Sequence, residues 1–256
     1  MFGLSAGASS ILHHLTSYGG HKLGRQHGPP ALQRAIMQSP AFFPQVDDKQ
    51  EKTIYADFLK LAVSGDLKEL RDADTNVLQY ASNYMIQKSD YGQFTFGPAV
   101  DDFLIPAPPS LLLDKGFFWP KIEMIVADTA NEGLFFAPPL VQTNAGFRLL
   151  ISKRLPGLTS DQLDEVVKMY PTTIKSTSKE RVQRVADAIS ELAVVCNTQY
   201  LLSAYGSYRP VYNYKFGVHP GFHGQDAFFT VSLLCLITFI SQYSETYTYL
   251  YVLTVL

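Results

Sequence analysis

The chain has 256 residues, 46% of them hydrophobic and 13% aromatic, and a formal net charge of −2. That length can bury a proper core, as one large domain or two small ones. The Lys and Arg are scattered with no basic run, which excludes a nucleic-acid surface, and Cys196 and Cys235 make neither a disulfide framework nor a zinc site.

Met1 and Phe2 lead directly into Gly3-Leu4-Ser5-Ala6-Gly7. G-x-S-x-G is the pattern of a nucleophile elbow, a serine on a sharp turn between a strand and a helix. The glycines serve a strained turn in which the helix backbone passes close to the strand. A serine between glycines is otherwise a plain turn. Ser9–Tyr18 reads as a helix ended by Gly19-Gly20, and residues 21–30 as a polar loop broken by two prolines. Leu32–Gln38 is a short buried strand. Lys49–Val63, Asp66–Ala73 and Thr75–Lys88 carry helical spacing with acidic starts. Phe94–Val100 is a strand or extended piece, IPAPPS a proline-rich turn, and Lys121–Ala127 the strongest strand. Thr159–Met169 and Ser178–Ala204 are helical, the first capped by Thr159 or Ser160. Arg209–Val218 alternates as a strand. Strands separated by helices predict an α/β class with a mostly parallel sheet. The tail holds two β-like apolar runs, Val231–Ile240 and residues 246–256; the first is shorter than the ~20 residues a bilayer needs, so no clear membrane span is expected. No charged segment followed by an apolar stretch marks a signal peptide.

A nucleophilic serine needs a base to take its proton and a carboxylate to hold that base in the right tautomer. His13, His14, His21 and His27 lie close to the elbow in sequence and read as solvated side chains. His219 and His223 follow the Arg209–Val218 strand in a Gly-rich loop, where a general base belongs. His223, between Gly221 and Gly224, is the better of the two. Asp128 and Glu132 both sit at the end of the KIEMIVA strand, and spacing alone does not choose between them.

The pieces GLSAGASSILHHL, ALQRAIMQSPA, FGPAVDDFLIPAPPSLL, VADTANEGLFF and GFHGQDAFF occur in one order over residues 1–229. Together they resemble the type-B carboxylesterase/lipase family, the cholinesterase-like α/β-hydrolases. The resemblance implies an α/β-hydrolase fold, C-terminal part only, with an incomplete, mostly parallel sheet. It implies Ser5 as nucleophile, Glu132 as acid in its N-E-G context, and His223 as base in its H-G-x-[DE] context. Ala6 would lend a backbone N–H to the oxyanion hole. Ser39 and Asp226 fall where the family places polar residues behind the histidine, or are plain satisfied loop polars. Leu4 stands where members often have Glu, and the family's Gly-rich oxyanion loop has no counterpart here. The expected organisation is a partial hydrolase domain over residues 1–229, beginning at the elbow, and an apolar tail outside the resemblance over residues 230–256. The implied substrate is a small-molecule or lipid ester, with no metal or organic cofactor. Family members are often secreted. A catalytically inactive truncated fragment, or an esterase-like protein-binding module, is the alternative reading. Phe94, Phe96, Phe135 and Phe136 would line an acyl pocket or belong to the core.

Overall fold

The computed structural model describes residues 1–43, 48–173, 175–230 and 254–255. In chain order, β1 (Phe2–Leu4) and α1 (Ala6–Thr16) form the amino-terminal unit, followed by the short α2 (Gly20–Leu23) and β2 (Arg34–Gln38). A helical segment comes next, α3 (Asp48–Leu61), α4 (Leu67–Asp72), α5 (Thr75–Lys88) and α6 (Pro109–Asp114), and leads into β3 (Glu123–Thr129). Then come α7 (Asn144–Arg154), α8 (Ser160–Met169), α9 (Ser178–Ser190) and α10 (Cys196–Gly206), and finally β4 (Val211–Phe216), α11 (Ala227–Thr230) and β5 (Thr254–Val255). The sheet order is β1-β2-β3-β4-β5. The first four strands are mutually parallel, in register at Gly3↔Met37, Met37↔Val126 and Val126↔Asn213. Parallel neighbours need long crossovers, and helices supply them here.

The main core forms because α1 repeats Ala8, Ile11, Leu12 and Leu15 at helical spacing, which gathers them into one apolar stripe. Ile11, Leu12 and Leu15 meet Met37, Val126, Leu201 and Tyr205, all at most 1% exposed. Each such side chain contributes roughly 1.5–3 kcal/mol on burial. A second core joins Phe147 and Ile151 of α7, Leu163 of α8 and Val185 and Ile189 of α9. A third, small one gathers Ala62, Leu70 and Ala81 beside α3, α4 and α5.

Two sequence expectations are corrected, and other segments differ in detail. The polar loop at 21–30 contains α2 and a 3₁₀ turn at Arg25–His27. The IPAPPS turn starts a helix, α6, with Pro109 at its first position, where a missing N–H costs nothing. Ser178–Ala204 is helical as expected, with a π-turn at Glu191–Val195 between α9 and α10. Helix α7 was not foreseen; Gly146 in its first turn weakens the pattern, while Thr143 caps it by accepting from the Gly146 N–H. Phe94–Val100 is irregular and supplies no strand to the sheet. Among the described residues no helix is long and apolar enough to cross a membrane. Residues 231–253 of the apolar tail, with Cys235, lie outside the described residues.

Candidate active site

Ser5 joins β1 to α1 with φ 56° and ψ −122°, a left-handed conformation that a non-glycine residue adopts at a cost of about 1–3 kcal/mol. Its N–H donates to the Gln38 carbonyl at 2.9 Å, which ties the elbow to β2. The two glycines of the pattern are not equivalent. A Cβ on Gly3 would lie 2.5 Å from both the carbonyl carbon and oxygen of Gly7, whereas a Cβ on Gly7 meets nothing within 4 Å. Gly3→Ala is therefore expected to cost about 1–3 kcal/mol, while Gly7→Ala is expected to be neutral or stabilising, since alanine favours a helix. Thermal melts of the two variants check this contrast.

Glu132 follows β3 and is 1% exposed. Its Oε1 accepts from Ser39 Oγ at 2.7 Å and from the Thr129 N–H at 2.5 Å. Its Oε2 lies 2.5 Å from His223 Nδ1. His223 comes from the loop after β4, and its Nε2 lies 2.8 Å from Ser5 Oγ. The three side chains, 91 and 218 positions apart along the chain, thus form one hydrogen-bonded file. The acid loop and the histidine loop are stapled together. The Asn131 N–H donates to Gly221 O at 2.8 Å, and Asn131 Nδ2 to Pro220 O at 2.5 Å. Behind Glu132, a Cβ on Gly133 would stand 2.0 Å from Ala186 O, so only glycine lets α9 come this close. Ala6, the first residue of α1, has a first-turn N–H with no partner inside the helix.

The other polar residues sit one step away from the imidazole. Ser39, with φ 50° and no exposure, binds Glu132 rather than the ring. Asp226 Oδ2 accepts from Gln38 Nε2 and from Tyr214 OH, each at 2.8 Å, and so links β2 to β4. Burial pushes the Asp226 carboxyl above the usual carboxylate range. Gln38, Tyr214 and Asn131 had no sequence signal, because each meets its partners across distant segments of chain or across the sheet.

Asp128, the other acid the sequence left open, is the sixth residue of β3 and faces Lys215 at 3.6 Å. Burial raises its pKa from 3.8 to about 6, with the Lys215 charge opposing the shift. Between those values the unfolded chain releases the proton that the folded chain keeps, so folding binds a proton and stability falls as pH rises from 3.8 to about 6. Asp128→Asn is expected to be the more stable protein above pH 6, by at most roughly 3 kcal/mol. That advantage should vanish toward pH 4, and urea melts at both ends of the window check it.

A cavity of about 400 Å³ opens beside Ser5, lined by Ala6, Ser9, Phe42, Phe94 and Phe96 among others. Phe94 and Phe96 thus face the site as well as packing. Phe135 lies against Phe222 with its ring tilted, centroids 4.5 Å apart, and Phe136 stands edge-on to both Phe94 and His223. The solvated reading of the early histidines holds for His14, which is exposed, and is corrected for two others. His13 Nδ1 donates to Ser9 O at 2.7 Å, its ring meets Phe42 edge-on, and burial lowers its pKa. His21 Nδ1 donates to Phe118 O at 2.6 Å. His27 is exposed but stacks on Tyr18 at 3.9 Å, and His219 is exposed. Among the described residues no cluster of His, Cys, Asp or Glu is arranged to hold a metal.

The sequence model described as "Carboxylesterase family" matches residues 1–251. The carboxylesterase patB of Penicillium expansum is 30% identical over 230 residues, which cover 88% of this chain and 40% of that protein. Lipase 1 of Geotrichum candidum is 29% identical, over 80% of this chain and 40% of the lipase. Para-nitrobenzyl esterase of Bacillus subtilis is 26% identical, over 86% and 42%. The chain therefore spans about two fifths of the length of these curated relatives. In fold it is similar to the crystal structure of Aspergillus niger EstA, with a TM-score of 0.67 at 23% identity, over 84% of this chain and 42% of that one.

Proposed function

The chain belongs to the carboxylesterase family, and on that premise we propose that it cleaves carboxylic esters with Ser5 as nucleophile, His223 as general base and Glu132 as the orienting acid. The observation that carries this reading is the continuous file of hydrogen bonds, 2.8 Å from Ser5 Oγ to His223 Nε2 and 2.5 Å from His223 Nδ1 to Glu132 Oε2. With Nδ1–H held on the carboxylate, Nε2 keeps a lone pair toward the serine hydroxyl, which is the tautomer a base requires. Ser5 Oγ attacks the acyl carbon as its proton passes to Nε2, and the imidazolium that forms is stabilised by buried Glu132. The tetrahedral oxygen takes a hydrogen bond from the Ala6 N–H. Collapse of that intermediate breaks the ester C–O bond, and the alcohol leaves with the proton from Nε2. Water then gives a proton to His223 and attacks the acyl-serine, which releases the carboxylic acid and restores Ser5.

Ser39 and the Thr129 N–H both donate to Oε1 of Glu132 and so fix the turn of the carboxylate, leaving Oε2 to face the imidazole. Asp226 acts at one remove, by fixing the ends of β2 and β4. The aromatic lining of the cavity suits a small-molecule or lipid ester with an apolar group beside the scissile bond. The test is covalent. A fluorophosphonate probe should add to a single serine, and peptide mapping should find it on Ser5. Absence of an adduct, or an adduct on Ser9 or Ser10 of the same cavity, would refute the assignment.

A further inference from the structure

The π-turn between α9 and α10 is the strongest candidate outside the triad, because π-turns within helices concentrate at functional sites. It brings a buried amide against the loop that follows β2. Asn197, 6% exposed, donates through Nδ2 to Pro40 O at 3.0 Å and to Ala193 O at 2.7 Å. Ala193, inside the π-turn, also accepts the Phe42 N–H at 3.1 Å. The loop is therefore gripped at two successive places by one wide turn. At and beside these two grips stand the residues that build the site. Ser39 holds Glu132, the Ala41 N–H points at Ser5 O at 3.4 Å, and Phe42 walls the cavity. Ser39 keeps its left-handed φ of 50° only while its neighbours enforce it. The same helical unit reaches the acid loop as well, where Ser190 Oγ accepts the Gly133 N–H at 2.7 Å.

We propose that Asn197 is a positioning residue: its amide clamps the Ser39–Phe42 loop onto the π-turn and so holds Glu132, and through it the His223 imidazole, in register with Ser5. The chemistry of the clamp is specific. An amide NH₂ carries two donor hydrogens, matching two carbonyl acceptors. An aspartate of the same shape would set a charge against both carbonyls, and a serine could satisfy only one. The inference rests on the triad reading, and its tests separate the two.

Three variants are compared in the full chain: Asn197→Asp, the milder Asn197→Ser, and Tyr205→Phe as a control. Tyr205 lies on the same helix, α10, and its buried OH donates to Trp119 O at 2.8 Å away from the site. The readouts are the melting midpoint, the rate of fluorophosphonate labelling at Ser5, and the downfield proton NMR signal of the His223 Nδ1–H. Asn197→Asp should label about 10²-fold more slowly, the cost of a misplacement near 1 Å, and should lose or broaden the imidazole signal. Asn197→Ser should fold and fall between it and the parent. Tyr205→Phe should lower the melting midpoint yet leave labelling and signal intact. The proposal is overturned if the Asn197 variants label at the parent rate with the signal unchanged, or if Tyr205→Phe disturbs both readouts equally. A parent chain that shows the imidazole signal but takes no label refutes the ester chemistry alone, and the signal in the variants then decides the clamp.

Discussion

Replacing Ser5 by alanine is expected to lower ester turnover by about 10⁴–10⁶-fold, the range found when a nucleophilic serine is removed from a working triad. The size follows from what the hydroxyl does. It is the only atom in the file that forms a bond to substrate, and neither Ser9 nor Ser10 can replace it. Ser9 Oγ donates to the Ser5 carbonyl at 3.2 Å and Ser10 Oγ to the Ala6 carbonyl at 2.8 Å, so both hydroxyls are turned back onto the helix. Folding should survive, because removing Oγ leaves the Ser5 N–H on Gln38 O and the strained φ unchanged. A melting midpoint near the parent's, together with loss of p-nitrophenyl ester hydrolysis, is the expected pair of observations. Hydrolysis that persists at the parent rate would remove Ser5 from the mechanism.

Glu132→Gln is expected to lower turnover by about 10⁴-fold with little change in KM, by reversing the imidazole's tautomer. The hydrogen bonds around the carboxylate make the outcome directional. Oε1 faces two donors, Ser39 Oγ–H and the Thr129 N–H, so the glutamine oxygen must occupy that place. Its NH₂ is then forced toward His223 Nδ1, where a donor belongs in the parent. The ring answers by carrying its proton on Nε2, pointing at Ser5 Oγ, and can no longer accept from it. Steady-state kinetics separate this from a folding defect: kcat should fall while KM and the melting midpoint stay close to the parent's.

Much of the site was readable because the chemistry imposes local patterns. Ser5 announces itself through Gly3, whose missing side chain the close strand–helix passage demands. His223 stands in a Gly-rich loop at the end of an alternating strand. The choice between Asp128 and Glu132 was not readable from spacing, since both lie at the end of β3 and only contacts across the sheet tell them apart. Resemblance chose Glu132, and the geometry puts Glu132, not Asp128, on the imidazole. The contribution of Ser39 depends on a partner 93 positions away, and that of Asn197 on one 157 positions away, distances at which no sequence period reports. The three-residue β1 was not legible, whereas β2 and β3 were legible as short apolar runs because a parallel sheet is buried and favours them, and β4 was legible by its alternation. The π-turn was not, because the residues ELAVV continue a helical pattern without interruption.

The α3–α5 segment keeps its own small apolar nucleus, and Ile86 from α5 nonetheless forms part of the wall facing Ser5. The wall beside Ser5 is therefore shared between this segment and the residues Ala6, Ser9 and Phe42 of α1 and the loop after β2. On the triad reading, a substitution at Ile86 is expected to reshape the space beside the serine without touching the hydrogen-bonded file of Ser5, His223 and Glu132.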